Sequence, residues 1–233
     1  MKTFLIADTH FGDENIVKYE QRPFENATEM TERLIENWNS VVDTNDVVFV
    51  VGDYSNLSFE KTKQITSRLN GKKNLVRGNH DLFSIKEYQE IGFETVYDYP
   101  VIVNKYFILS HEPIYVNKLM PYVNVYGHIH NNPNYNTYSF CGHCVSVEKI
   151  DYTPIDIEEV NRRILSIRNK FEVDWFLKTQ IRENLTVESL SSNILSKSKT
   201  LFTFSWCLFN MILIKNKKAY TNKVYAFCYW CLL

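Results

Sequence analysis

Glycine and histidine are both scarce in this chain, seven and six in 233 residues, so the places where they fall carry information. An excess of either charge is missing too: 26 basic residues face 27 acidic ones, the net charge is −1, and the pI is about 6.6. No overall field therefore draws the protein to nucleic acid, although a local basic cleft stays open. The five cysteines, an odd number, do not make a disulfide framework and read as thiols of a reducing compartment. Cys141/Cys144 and Cys228/Cys231 each have the two-residue gap of a zinc knuckle. Their wide separation and the apolar setting of the second pair favour buried thiols over a structural zinc. The opening apolar run ends at Asp8, too soon for a signal-peptide core, which points to the cytoplasm. The strongly apolar stretch at residues 201–214 is shorter than the ~20 residues that cross a bilayer, so a buried element is preferred there to a membrane anchor. Internal repeats and low-complexity linkers are absent.

What is present is core material, 45% hydrophobic against 23% charged residues, enough for one substantial domain with an appendage. Short strands are expected at residues 2–7, 47–51, 74–77, 101–103, 106–109, 124–126 and 145–150. The run Val47-Val48-Phe49-Val50-Val51 suits a central strand covered on both faces. Helices are expected at 28–42, where Met30, Leu34, Trp38, Val41 and Val42 recur at helical spacing, and at 58–69 and 156–167. Another is expected after Ser84, whose spacing to Glu87 is that of a capping box, and Gly92 stops it. The alternation of strands and helices gives an α/β layered domain. A first domain at 1–168 and a C-terminal extension of unassigned role at 169–233 follow.

Five of the apolar strands end in polar clusters: Asp8/His10, Asp53, Asn79/His80/Asp81, His111 and His128/His130. All histidines but His143 fall there, and Gly12, Gly52, Gly78 and Gly127 sit beside them. A lone histidine is more often an ordinary hydrogen-bonded residue, but five at equivalent positions in the topology point to one site. Carboxyl ends of strands are where open α/β sheets place ligands. Imidazoles, carboxylates and an amide make a ligand set for zinc, manganese or iron. The inventory exceeds the needs of one ion and points to two that share a ligand. Such ions, roughly 3.5–4 Å apart, hold a bridging hydroxide for in-line attack on phosphorus. Asp53, with two oxygens and a negative charge, is the natural bridge. These considerations leave His80 among the ligand candidates.

In order and approximate spacing, Asp8-x-His10, Gly52-Asp53, Gly78-Asn79-His80-Asp81, His111 and Gly127-His128-x-His130 resemble the calcineurin-like metallophosphoesterases. The likeness covers about residues 1–165. The Asp-Thr-His-Phe-Gly opening, Arg22-Pro23-Phe24 and the Trp38 helix further resemble small single-domain members from bacteria and their phages. The resemblance implies a sandwich of two β-sheets flanked by helices, with the site at one edge. It implies that Asp8, His10 and His130 hold one metal, that Asn79, His111 and His128 hold the other, and that Asp53 holds both. His80 would then face the substrate. Two divalent ions are implied as cofactors, manganese first, with zinc, iron and nickel as alternatives. The expected substrate is a small phosphomonoester or phosphodiester, nucleotides included, contacted by His80, Asn79, Arg22 and Asn131. A silent metal-binding scaffold and a nuclease on the same core are the rival readings. Two positions depart from the family pattern: Asn56 stands where many relatives carry an acid, and Asp13 where close relatives often carry histidine.

Overall fold

The computed structural model describes residues 1–117, 120–132 and 141–168. The proposed extension at 169–233, with its apolar stretch and the Cys228/Cys231 pair, lies outside the described residues. Among the described residues, no helix is long and apolar enough to cross a membrane.

Two sheets with flanking helices make up the architecture, as expected. The first sheet is built from β-α-β units. β1 (Thr3–Ile6) pairs in parallel with β2 (Val47–Val50), β2 with β3 (Lys72–Val76), and β3 with β4 (Phe93–Tyr97). β9 (Ile155–Asp156) closes the far edge antiparallel to β1, giving the order β4-β3-β2-β1-β9. The second sheet runs β5 (Val101–Val103), β6 (Phe107–Ser110), β7 (Val123–Tyr126) and β8 (Gly142–Cys144). β5 and β6 form the expected hairpin, with Asn104 and Lys105 both at positive φ as a tight two-residue turn requires. β6, β7 and β8 are parallel.

The helices are α1 (Glu14–Tyr19), α2 (Ala27–Val41), α3 (Phe59–Arg68), α4 (Ile85–Ile91) and α5 over residues 157–168. α2 starts at Asn26, whose side chain accepts the Glu29 N–H, and lays Met30, Leu34 and Trp38 fully into the core. The Trp38 indole is satisfied there by the Asn70 carbonyl at 3.0 Å. α4 carries both bonds of its capping box. α5 turns Ile157, Val160 and Ile164 inward.

Three elements, α1, β4 and β9, were not expected, and one is corrected. α1 is a short helix capped by Asp13, and β4 begins directly after Gly92. Residues 145–150 are not a strand. β8 lies earlier, and the chain then makes an isolated bridge from Ser146 to Ala7 and a 3-10 turn at Val147–Lys149. Backbone bonds from Ala7 N–H to the Val145 carbonyl and from Val147 N–H to the Ala7 carbonyl join the two sheets beside the end of β1. With β1, β2, β3, β6 and β7 all ending toward the same region, their loops share one edge of the sandwich.

Candidate metal centre

The residues that follow these strands bend the chain sharply. Asp8, His10, Asp53, His128 and His130 all adopt left-handed backbone angles, with φ of 58°, 44°, 55°, 68° and 46°. A non-glycine residue held there costs about 1–2 kcal/mol, and such strain gathers at functional sites. The bends are held by backbone bonds, from Asp8 N–H to the Gly52 carbonyl and from His10 N–H to the Asp53 carbonyl, each 3.0 Å. Each bend falls two to four residues beyond the end of its strand.

Glycine permits the loops to close on one another. A Cβ on Gly78 would lie 2.2 Å from Asp53 Oδ1, one on Gly52 2.2 Å from His111 Nδ1, and one on Gly127 2.6 Å from Asp8 Oδ2. The Asp81 carboxylate braces two of the loops by accepting the N–H groups of Asp53, Tyr54 and Gly78 and the Tyr88 hydroxyl. Asp81 thus orients the loop and not the His80 imidazole.

The structure brings all seven expected ligands together. Asp53 Oδ2 stands 3.5 Å from His10 Nε2 and 3.3 Å from His111 Nε2, so one carboxylate oxygen faces an imidazole on each side. On one flank Asp8, His10 and His130 present ligand atoms within 4.8 Å of one another, and the His10 and His130 rings stack at 5.3 Å. On the other, Asn79 Oδ1 lies 2.9 Å from His111 Nε2 and 3.1 Å from His128 Nδ1, and those two nitrogens are 3.1 Å apart. Asp8, Asp53 and His111 form a further group of the same compactness.

Both ring nitrogens of His10 are buried with no hydrogen-bond partner, an orphaned state that a cation would relieve. Burial pushes the Asp8 carboxyl up to about 6, against the pull of His130 and His111, and pushes His10 down to about 3. For Asp53 burial acts upward, but hydrogen bonding and charge from His111, with the His80 N–H, prevail and hold it at about 2. His111 is opposed by burial yet lifted to about 9 by Asp53 and Asp8. His128 is lowered by burial and by His111. Buried carboxylates and crowded imidazoles of this kind fit divalent ions of borderline character.

His80 differs from the other four clustered histidines in being exposed. Its backbone N–H donates to Asp53 Oδ1 at 2.9 Å, while its exposed ring meets His10 edge-on at 5.3 Å. Asn131 is exposed beside His130 and accepts from Lys149. Asn56 donates to Asp13, so the two departures from the family pattern face each other and Asn56 is engaged away from His80.

Arg22 corrects an expectation. It was expected at the substrate, but it is 4% exposed and its guanidinium is occupied. Nη2 donates to the Asp8 carbonyl at 2.7 Å, Nη1 to the Thr9 carbonyl at 3.1 Å, and Nε to Glu148 at 2.9 Å. Glu148 escaped the sequence reading. Its Oε1 also lies 3.0 Å from His130 Nδ1, where burial and hydrogen bonding oppose each other and the bond raises the imidazole above its usual range. A single acid inside the apolar run 145–150 was the available signal. Cys141 and Cys144 have protein partners, Arg168 Nη2 at 3.2 Å and Ser146 Oγ at 3.1 Å.

The family model for calcineurin-like phosphoesterases matches residues 1–187. An uncharacterized protein of Methanocaldococcus jannaschii is 36% identical over 173 residues, 70% of this chain and 91% of its own. The crystal structure of a protein of unknown function from Aquifex aeolicus is similar with a TM-score of 0.55 and 25% identity, covering 69% of this chain and 98% of that one. A nuclease from Pseudomonas putida aligns with a TM-score of 0.40 and 22% identity, over 55% of this chain and 61% of that one.

Proposed function

Since the chain belongs to the calcineurin-like phosphoesterase family, we propose that it hydrolyses a small phosphomonoester or phosphodiester with the aid of two divalent metal ions. The observation that carries this reading is the Asp53 carboxylate, set between His10 and His111 with a ligand cluster on either flank. Asp8, His10 and His130 hold one ion in this proposal, Asn79, His111 and His128 hold the other, and Asp53 serves both. Ions bound there would activate water for in-line attack and offset charge on the phosphoryl oxygens. No phospho-enzyme is needed.

The protein's own share is orientation. Strained loops, braced through Asp81, fix the ligands before substrate arrives. The exposed His80 ring is placed to donate to a phosphoryl oxygen or to protonate the leaving oxygen. Asn79 and Asn131 offer amides near the opening, and Arg22 acts from behind the ligands. Manganese is the first candidate ion, with zinc, iron and nickel as alternatives.

Elemental analysis of the purified full chain, with and without chelation, tests the reading alongside a panel of mono- and diesters assayed with Mn²⁺, Zn²⁺, Ni²⁺ and Mg²⁺. Two metal ions per chain and metal-dependent hydrolysis are expected. Metal binding with no turnover on any ester would favour a silent scaffold, and absence of bound metal under every condition would overturn the proposal.

A further inference from the structure

Arg22 and Glu148 stand 126 residues apart in sequence and meet behind only one half of the site. Both are buried, with side-chain exposures of 0% and 5%. Glu148 Oε1 takes the Arg22 Nε and Nη2 at 2.9 and 2.7 Å, and His130 Nδ1 at 3.0 Å. With Nδ1 engaged by the carboxylate, His130 keeps its proton there and presents the Nε2 lone pair. The other end of Arg22 grips the backbone carbonyls of Asp8 and Thr9, the first being a ligand candidate and the second the residue before His10. These carbonyls belong to the strained stretch in which Asp8 and His10 are left-handed.

The ties from this ion pair into the site therefore run to Asp8, Thr9 and His130, with one more from Arg22 Nη1 to the Met30 sulfur at 3.2 Å. Among the described residues, none runs to Asn79, His111 or His128. On the opposite flank, His111 uses the Val51 carbonyl at 3.1 Å as the partner of its Nδ1, a neutral backbone group one residue past the end of β2. The two halves of the site are thus supported by different means.

We propose that Arg22 and Glu148 are positioning residues dedicated to one metal position, the one formed by Asp8, His10 and His130. The ion pair locks the His130 tautomer and holds the bend that aims Asp8 and His10. The inference rests on the two-metal reading above. It is distinct from a general contribution to folding, because it requires the two positions to respond unequally.

The test is a titration of the full-length apoprotein with Mn²⁺, reading free aquo-Mn²⁺ by electron paramagnetic resonance, for wild type and Glu148→Gln. Wild type is expected to fill two positions. Glu148→Gln keeps the size of the side chain and removes its charge. One position should weaken by about 10–100-fold, the range for loss of a group that orients a metal-binding histidine, while the other stays within about twofold. Combining it with His128→Ala should then weaken both positions. If Glu148→Gln misfolds by circular dichroism, Arg22→Lys takes its place, because an ammonium cannot span two carbonyls and a carboxylate. Equal weakening of both positions, or an unchanged isotherm with a lower apoprotein melting temperature, would overturn the proposal and leave the two-metal reading intact. A wild-type protein that binds no Mn²⁺ or other divalent ion would overturn both.

Discussion

Replacing Gly78 by alanine adds one methyl group where the site has no room for it. Its Cβ would fall 2.2 Å from Asp53 Oδ1, 2.7 Å from the Asp53 backbone nitrogen and 2.9 Å from His111 Cε1. An ordinary carbon–oxygen separation is about 3.3 Å, so the carboxylate and the loop must part by about 1 Å. Gly78 is not among the positive-φ residues, so alanine brings no left-handed strain and the effect is one of contact alone. Overpacking of this kind costs about 1–3 kcal/mol, or roughly 2–12 °C in melting temperature for a chain of this size. A constellation tolerates only about 0.5 Å of misplacement, and a 1 Å error costs on the order of 100-fold in rate. The assay is a pair of melting curves, with metal and with chelator, together with metal content and turnover on bis-p-nitrophenyl phosphate. Gly78→Ala should lose metal, lose turnover and gain little stability from added ion. A variant that keeps two ions and wild-type turnover would refute the close approach of Gly78 to Asp53.

Further outcomes follow from the same geometry. Asp53→Asn and His111→Ala should purify with substoichiometric metal and no metal-dependent hydrolysis. His80→Ala should keep both ions and lose about 10²–10⁴-fold in turnover, and undiminished turnover in it would remove His80 from the chemistry. His111, lifted to about 9 by Asp53 and Asp8 against burial, must shed its proton when it takes a metal. Metal binding at pH 7.5 should therefore release protons, measurable by calorimetry in buffers of different ionisation enthalpy, and buffer-independent heats would contradict it. His143 is pushed down to about 4 by burial, so the folded state favours its neutral form. That contribution is complete above the unfolded value near 6.5 and is lost as pH falls from there toward 4, by at most about 3 kcal/mol. His143→Gln should flatten that part of the apoprotein's melting-temperature profile, and an unchanged slope would show that the imidazole is solvated.

The strand ends were legible because each couples an apolar run to an abrupt polar stop, and Gly52, Gly78 and Gly127 mark three of the stops. The helices at α2 and α4 declared themselves through a long apolar stripe and a capping box. By contrast, α1 has only six residues and buries little besides Val17, too short a stretch for periodicity to register. The run at 145–150 has strand composition, but its hydrophobes Val145, Val147 and Ile150 are buried in and beside a 3-10 turn, since burial rewards apolar side chains whatever the backbone does. Arg22 was expected at the substrate because a buried arginine is recognised only by its partners, and Glu148 lies far along the chain. His80 is exposed where the four histidines proposed as ligands are buried or partly buried, a property of tertiary structure that adjacent sequence does not record.

The left-handed bends also limit which metals the site can be taught to prefer. At Asp8, His10, Asp53, His128 and His130 the backbone admits asparagine, aspartate and histidine more readily than other side chains. Exchanging histidine for an oxygen ligand is therefore a short step at those positions, and drift toward harder ions such as manganese or magnesium is open. Introducing a thiolate, as a softer ion would favour, carries a backbone penalty at each of the five. Only Asn79 and His111 lie outside the positive-φ set, so redesign toward soft metals has two unhindered places to begin, both on the same half of the proposed centre.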